Sequence, residues 1–329
     1  MQLDRKQLVL VILVTLSWGL NWPMMKMGVT GYPPLTFRAL CLWIGVPVLW
    51  LALRVLKVPF YVARKDWREL FWLAVTNMFV WHVLIILAIS VLSSGRAAIL
   101  GYTMPVFSAL LGVAFFGARM RSTQWLGVGA AAVGVSLLLF NELTNFAGQP
   151  LGVLMALVAA AVWALGTQKL RNTAIVASTL TLSFWMTLMA AMVLSVMSIA
   201  FERHLWMMPS AKTWVAIVYN GVLIFGFTHA AWFTLARGLP PVASTLSTMM
   251  IPVLGVFSGA LWLGEVLHWQ DWAAVALMAV AISTVLIPGG RKPASCCAGD
   301  ADCQAQIIPG FGFFQRVAQQ IGGVDGDDD

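Results

Sequence analysis

Between residues 7 and 287 the chain is a succession of apolar runs, separated by loops that are mostly shorter than ten residues. A hydrocarbon core of about 30 Å takes roughly 20 residues of helix at about 1.5 Å each. Ten runs meet that length, near residues 7–28, 34–53, 70–91, 96–117, 122–140, 151–169, 176–200, 213–236, 241–263 and 270–287. Lipid offers backbone groups no hydrogen-bond partner, so each run is predicted to be a helix. Only 10% of residues are charged and 60% are hydrophobic, against about a quarter charged in a soluble domain, and the surplus apolar surface has to face lipid. Arg5 and Lys6 precede the first run as in a signal peptide, but no small-residue cleavage site follows and nine further runs do, so that reading is rejected. The short loops leave no room for a soluble catalytic domain.

The net charge of +7 does not mark a nucleic-acid binder, because the basic residues are scattered between apolar runs and form no patch. They read as topology signals. With the N-terminus inside, the cytoplasmic segments hold fifteen Lys and Arg, including Arg54, Arg64, Arg68, Lys169 and Arg237, against Lys26, Arg96, Arg203 and Lys212 outside. Both termini are thus expected in the cytoplasm, the chain lying in the inner (cytoplasmic) membrane. Cys41 lies in an apolar run and Cys296, Cys297 and Cys303 in the polar tail, which gives no disulfide framework.

The two halves match at a shift of 147 residues: Pro105 with Pro252, Val106 with Val253, Gly112 with Gly259, Gly117 with Gly264, Trp125 with Trp272, Val133 with Val280 and Ser136 with Ser283. Five runs per half is an odd number, so the second copy crosses the membrane inverted relative to the first. Inverted repeats are a transporter signature, since related halves can exchange roles around one central site. The expected fold is an all-α integral membrane protein of ten transmembrane helices, built as two inverted five-helix repeats around a central cavity. Residues 1–145 form the first repeat and 146–289 the second, and 290–329 form a disordered cytoplasmic tail.

This pattern, with a Pro in the fourth helix of each repeat and Gly264-Glu265 before the Trp272 span, resembles the EamA-type drug/metabolite transporters over residues 7–288. The resemblance implies ten helices around a central cavity and export of amino acids and related metabolites. Trp163 and the many aromatics make the chain look most like the aromatic and hydrophobic amino-acid exporters of that family. The Gly-Glu pair survives only once, since the first repeat reads Gly117-Ala118-Arg119, which favours a structural helix-end role for Glu265.

Trp18, Asn21, Trp22 and Met25 share one face of the first helix, and an Asn in lipid needs a partner, so that face should point inward. Pro105 and Pro252 leave the carbonyls of Gly101 and Thr248 without their usual donor. Broken helices of that kind line substrate sites and gates, and Tyr102 and Thr103 stand beside the first. Trp163 and Thr167 lie one turn apart on the sixth helix beside Ala159, Ala160 and Ala161, and the resemblance favours a cavity position for this Trp. His82 and His229 fall mid-span, where ionisable groups are functional candidates. On a regular helix Asn77 lies about 140° from His82 and Asn220 about 180° from His229, so the members of each pair face different ways. Arg38, the one charge inside a span, is read as an anchor snorkelling to the interface, with capture of a substrate carboxylate as the alternative.

None of the thirteen Asp and Glu falls in mid-span, which implies facilitated diffusion or proton coupling through a histidine. Gly127, Gly129 and Ala132 formally match a dinucleotide fingerprint but lie inside an apolar span, so helix packing explains them. No cofactor, no metal site and no catalytic motif is expected. The partners are a small-molecule substrate and membrane lipids, with the protein a monomer or weak oligomer. The resulting function is export of small metabolites, foremost hydrophobic or aromatic amino acids. Multidrug efflux is the alternative, with a membrane-embedded enzyme or structural subunit behind it. Reporter fusions should place residue 145 outside the cell and the C-terminus inside, and the reverse assignment would refute the charge-bias reading.

Overall fold

The computed structural model describes residues 5–116, 122–144, 149–238 and 241–286. The tail from residue 290, with its three cysteines, and the Gly117-Ala118-Arg119 triplet lie outside them. Every regular element among the described residues is helical. In order they are α1 (Arg5–Val29), α2 (Pro34–Val55), α3 (Trp67–Ala74), α4 (Val80–Val91), α5 (Ser94–Gly101), α6 (Met104–Phe116), α7 (Ser122–Thr144), α8 (Pro150–Arg171), α9 (Thr179–Met197), α10 (Ala211–Val218), α11 (His229–Gly238), α12 (Pro241–Leu263) and α13 (Trp269–Leu286). Seven helical stretches among the described residues are long and apolar enough to cross a bilayer: Val9–Val29, Pro34–Val55, Arg64–Val91, Ser94–Phe115, Pro150–Arg171, Thr179–Leu205 and Ala211–Leu235. Shorter apolar helices follow at Trp125–Leu137 and Met250–Leu263.

Local chemistry sets the helix ends. Pro34 and Pro150 open α2 and α8, where a missing N–H costs nothing. The hydroxyls of Ser93, Ser178 and Ser210 accept from the backbone N–H three residues on, capping α5, α9 and α10. Gly264 adopts φ +66 just past α12, the left-handed position that ends a helix and that glycine fills without strain.

Three of the rods contain wide π-helical turns, Val75–Phe79 between α3 and α4, Ser198–Glu202 after α9 and Tyr219–Thr228 between α10 and α11. A π turn leaves carbonyls without their usual donor. Asn77 Nδ2 donates to the Leu73 carbonyl and Asn220 Nδ2 to that of Ala216, each at 3.0 Å. Each asparagine thus ties its side chain back to the carbonyl four residues earlier. Such turns also change the angular phase, so a fixed angle per residue does not describe how Asn220 and His229 are related.

Glycines set the closest helix approaches. A Cβ on Gly255 of α12 would lie 2.8 Å from Ala98 Cβ and 3.0 Å from Trp22 Cδ1, and one on Gly259 would lie 2.3 Å from Ser94 Oγ. This Gly-x-x-x-Gly face lets α12 lie against α5, with Trp22 of α1 beside them. Gly45 and Gly221 do the same between α2 and the Tyr219–Thr228 turn. A Cβ on Gly129 of α7 would meet nothing within 4 Å. Gly255→Ala should therefore cost about 1–3 kcal/mol through overpacking, whereas Gly129→Ala should be neutral or stabilise by up to about 1 kcal/mol through helix propensity. Unfolding midpoints in detergent check the contrast.

Candidate functional site

Trp18, His82, Trp163 and His229 come from four different rods and meet in one aromatic cluster. Trp163 packs edge-on to Trp18 at 6.4 Å, His82 at 6.5 Å and His229 at 5.7 Å between ring centroids. The two histidine rings are 5.1 Å apart. Phe225 stacks on His229 at 5.1 Å with 11° between the ring planes and touches His82 at 4.8 Å. Trp81, Trp232 and Phe233 complete the wall against Trp163 and Trp18. Ala159 and Ala160 of α8 are wholly buried, which brings neighbouring rods close around Trp163. Trp163, His82 and His229 are 5%, 3% and 2% exposed, so the centre of the cluster is buried, with Trp18 partly buried at its edge.

The cluster is poor in hydrogen bonds. His229 Nδ1 donates to the Ile224 carbonyl at 2.9 Å, but neither ring nitrogen of His82 has a partner, nor do Asn21 Oδ1, Thr167 Oγ1 and Trp232 Nε1. Buried polar atoms without partners are costly. Five of them on or beside one aromatic wall form a set of polar groups to which a solute could bond.

Arg38 does not snorkel. It is wholly buried, on the side of α2 that meets the Tyr219–Thr228 turn through Asn220. Its guanidinium donates to Met25 Sδ at 2.8 Å and Asn220 Oδ1 at 3.3 Å and lies 5.5 Å from the Phe225 ring centre. Met25 and Asn220 are thereby joined to the cluster.

Trp22 is separated from Trp18 by one helical turn and does different work. It sits over Gly101 and Gly255 and packs against Tyr102 at 6.1 Å, a wedge between α1, α5 and α12. The two proline sites also differ. Near Pro105 the helix stops: α5 ends at Gly101 and α6 starts at Met104, with Thr103 Oγ1 donating to the Leu100 carbonyl at 2.7 Å. Pro252 lies inside an unbroken α12. The expected pair of broken helices is therefore one. A proline by itself removes a single hydrogen bond, and a full break forms only where the carbonyls around it find other donors.

One end of the bundle is tied by charges. Lys26 Nζ donates to the carbonyls of Ile89, Ser90 and Leu92 at the end of α4. Glu265, turned back by Gly264, accepts from Ser94 N, Ser94 Oγ and Gly95 N at 2.7, 2.9 and 3.2 Å. Glu202 accepts from Leu35 N at 2.9 Å and from Thr36 N at 2.7 Å. Arg96 pairs with Asp271 at 3.0 Å. A carboxylate at a helix N-terminus satisfies orphan N–H groups and the helix dipole together, so Glu265 has the structural role its sequence suggested. At the opposite end a cleft of about 350 Å³ opens between Glu69, Trp72, Leu73, Lys169 and Asn172.

Sequence reasoning missed Trp81, Phe225, Trp232 and Phe233. Two signals were there to read. His229 stands 147 residues after His82, the shift that aligns the halves, and Phe225, His229 and Phe233 recur every fourth residue.

Seven stretches long and apolar enough to cross a bilayer, packed around a buried aromatic cluster, define a polytopic membrane protein. The EamA-like transporter family model matches residues 5–140 and again residues 150–287, and the chain belongs to that family. It is 29% identical to the "Uncharacterized transporter YoaV" of Bacillus subtilis, over 78% of this chain and 88% of that protein. It is 26% identical to the "Probable amino-acid metabolite efflux pump" of Escherichia coli K12, over 84% of this chain and 93% of that protein. One crystal structure of a protein at 21% identity shares the fold with a TM-score of 0.61, covering 84% of this chain and 96% of the other.

Because the His82 nitrogens have no partners while its ring is packed on two faces, His82→Phe should change stability by less than about 1 kcal/mol, replacing unsatisfied polar atoms with apolar ones of like shape. Thermal unfolding in detergent measures this. A large loss would mean that the nitrogens are bonded.

Proposed function

We propose that this transporter exports small organic metabolites, foremost hydrophobic or aromatic amino acids, by alternating access. Its two inverted five-helix halves, residues 1–145 and 146–289, make ten crossings with both termini in the cytoplasm. The observation that carries the reading is the aromatic cluster itself. Trp18, Trp163 and the paired His82 and His229 offer an aromatic wall, and Asn21 and Thr167 supply isolated polar atoms, the make-up of a small-molecule site. The Escherichia coli relative's name, "Probable amino-acid metabolite efflux pump", supports the same cargo.

In this reading the end tied by Lys26, Glu202, Glu265 and the Arg96–Asp271 pair faces away from the cytoplasm and is the closed gate. The cleft at Glu69, Lys169 and Asn172 then belongs to the cytoplasmic side, where an exporter collects its cargo. Trp22 over Gly101 and Gly255, with the break at Tyr102, Thr103 and Pro105, is where the closed end would part, and Pro252 gives α12 a place to flex. Glu202, Glu265 and Asp271 are engaged at helix ends, so no described carboxylate is free to carry a coupling ion at mid-span. Transport is expected to follow the substrate gradient, with the histidine pair as the route for protons if coupling exists.

Counterflow of labelled L-phenylalanine in proteoliposomes tests this. Trp163→Phe keeps an aromatic face and should retain transport within a few fold. Trp163→Leu removes it and should lower transport at least tenfold, a change of about 1.4 kcal/mol, with the protein still folded. Wild-type rates in Trp163→Leu would remove the site assignment. Movement of cationic drugs but of no amino acid would favour multidrug efflux, which an apolar aromatic wall also suits.

A further inference from the structure

Arg38 is the one wholly buried cation among the described residues, and its company does not explain it. Lys26, Glu202, Glu265 and Asp271 are matched: Lys26 by three carbonyls, Glu265 and Glu202 by backbone and hydroxyl donors, Asp271 by Arg96; Arg171, whose Nε also lacks a partner, is only partly buried. Arg38 has no carboxylate. A guanidinium carries five N–H donors in a planar fork, yet two contacts serve it: an amide oxygen at 3.3 Å and a thioether sulfur at 2.8 Å, the latter a weak acceptor. Its Nε has no partner. An unmatched charge in a membrane interior is expensive, and a packing role would be filled better by Met or Leu.

Position adds what burial alone does not. The guanidinium lies beside the Phe225 ring, and that ring contacts both His82 and His229, which pack on Trp163. The positive fork is thus one ring away from the aromatic wall. Phe37 flanks it on another side at 5.9 Å, which holds the guanidinium plane by cation–π contact.

We infer that Arg38, assisted by Asn220, binds the carboxylate of the transported solute while the solute's apolar part lies against Trp163 and the histidine pair. The assignment rests on the transport reading above and sharpens it: the cargo bears a carboxylate, and molecules lacking one are excluded. Bidentate pairing of a planar carboxylate with the fork supplies the acceptors that Met25 and Asn220 do not. Arg38 keeps its weak protein partners because a permanent carboxylate neighbour would compete with the cargo.

The full chain in lipid nanodiscs is melted with three probes that share a phenyl ring: L-phenylalanine, 3-phenylpropionate and 2-phenylethylamine. The two carboxylates should raise the wild-type melting temperature, and the amine should not. Arg38→Gln should need at least tenfold more carboxylate for the same shift. Arg38→Lys, which keeps the charge and loses the fork, should fall between. Arg38→Met, with no probe, should melt no lower than wild type, since it removes an unmatched charge. Equal response to amine and carboxylates, an unchanged response in Arg38→Gln, or no response to either carboxylate would overturn the assignment. So would chloride alone stabilising the wild type as well as 3-phenylpropionate does, which would make this an inorganic-anion site. Melting reads binding without translocation. Stabilisation by 3-phenylpropionate through Arg38 with no probe moved in proteoliposomes would defeat the transport reading alone, whereas wild-type phenylalanine counterflow by Arg38→Gln would defeat the Arg38 assignment alone.

Discussion

In hydrocarbon nothing outside the chain can accept or donate a hydrogen bond, and the polar features of this protein follow from that constraint. Helices satisfy their own middles but not their ends. Two helix starts that tertiary packing buries, at Pro34 and Ser94, receive carboxylates from distant parts of the chain, Glu202 and Glu265. The end of α4 receives the ammonium of Lys26. The two carboxylate contacts join the halves of the chain at one end of the bundle and the Lys26 contact ties α1 to α4 there, so satisfying helix ends and closing that end are the same set of bonds.

The same constraint gives meaning to the places where satisfaction fails. At the wide turns Val75–Phe79 and Tyr219–Thr228, Asn77 and Asn220 donate back to the carbonyls four residues earlier. Asn21, His82, Thr167, Trp232 and Arg38 keep unpaired atoms, as do Asn77, Arg171, Thr187 and Gln270, and the first five lie on or near the wall formed by Trp18, Trp163 and the histidines. A membrane protein tolerates such a deficit where a ligand can remove it. Rings packed mostly edge to face, each pair worth about 0.5–1.5 kcal/mol beyond area, hold that wall in shape with few hydrogen bonds, that of His229 to Ile224 among them.

Glycine distribution decides which helices can carry the site. Gly101, Gly255 and Gly259 let α1, α5 and α12 converge around Trp22, and Gly45 and Gly221 draw α2 against the turn that bears Asn220 and Phe225. Without the second approach Arg38 would lie too far from Asn220 to bond it. Close backbones are thus what convert a residue near a helix start into a buried one.

Much of the architecture was present in the one-dimensional pattern, because apolar run length against bilayer thickness is a local property. The described helices begin and end within a few residues of the runs, and the doubling of the sequence agrees with the family model matching it twice. The inward face of Trp18 and the mid-span place of both histidines were legible for the same reason, since residue type and helical spacing carry them, whereas Trp163 and the helix-end role of Glu265 were read from the family resemblance. What tertiary structure alone decided depends on distances between segments far apart in sequence. Such distances brought His82 against His229, made Trp22 a wedge, and added Trp81, Phe225, Trp232 and Phe233 to the wall. They also buried Arg38 instead of letting it reach the interface, and broke the helix near Pro105 while leaving α12 whole across Pro252. Spacing along one helix determines which face a side chain takes, but the glycine contacts and wide turns of the neighbouring helices determine what that face meets.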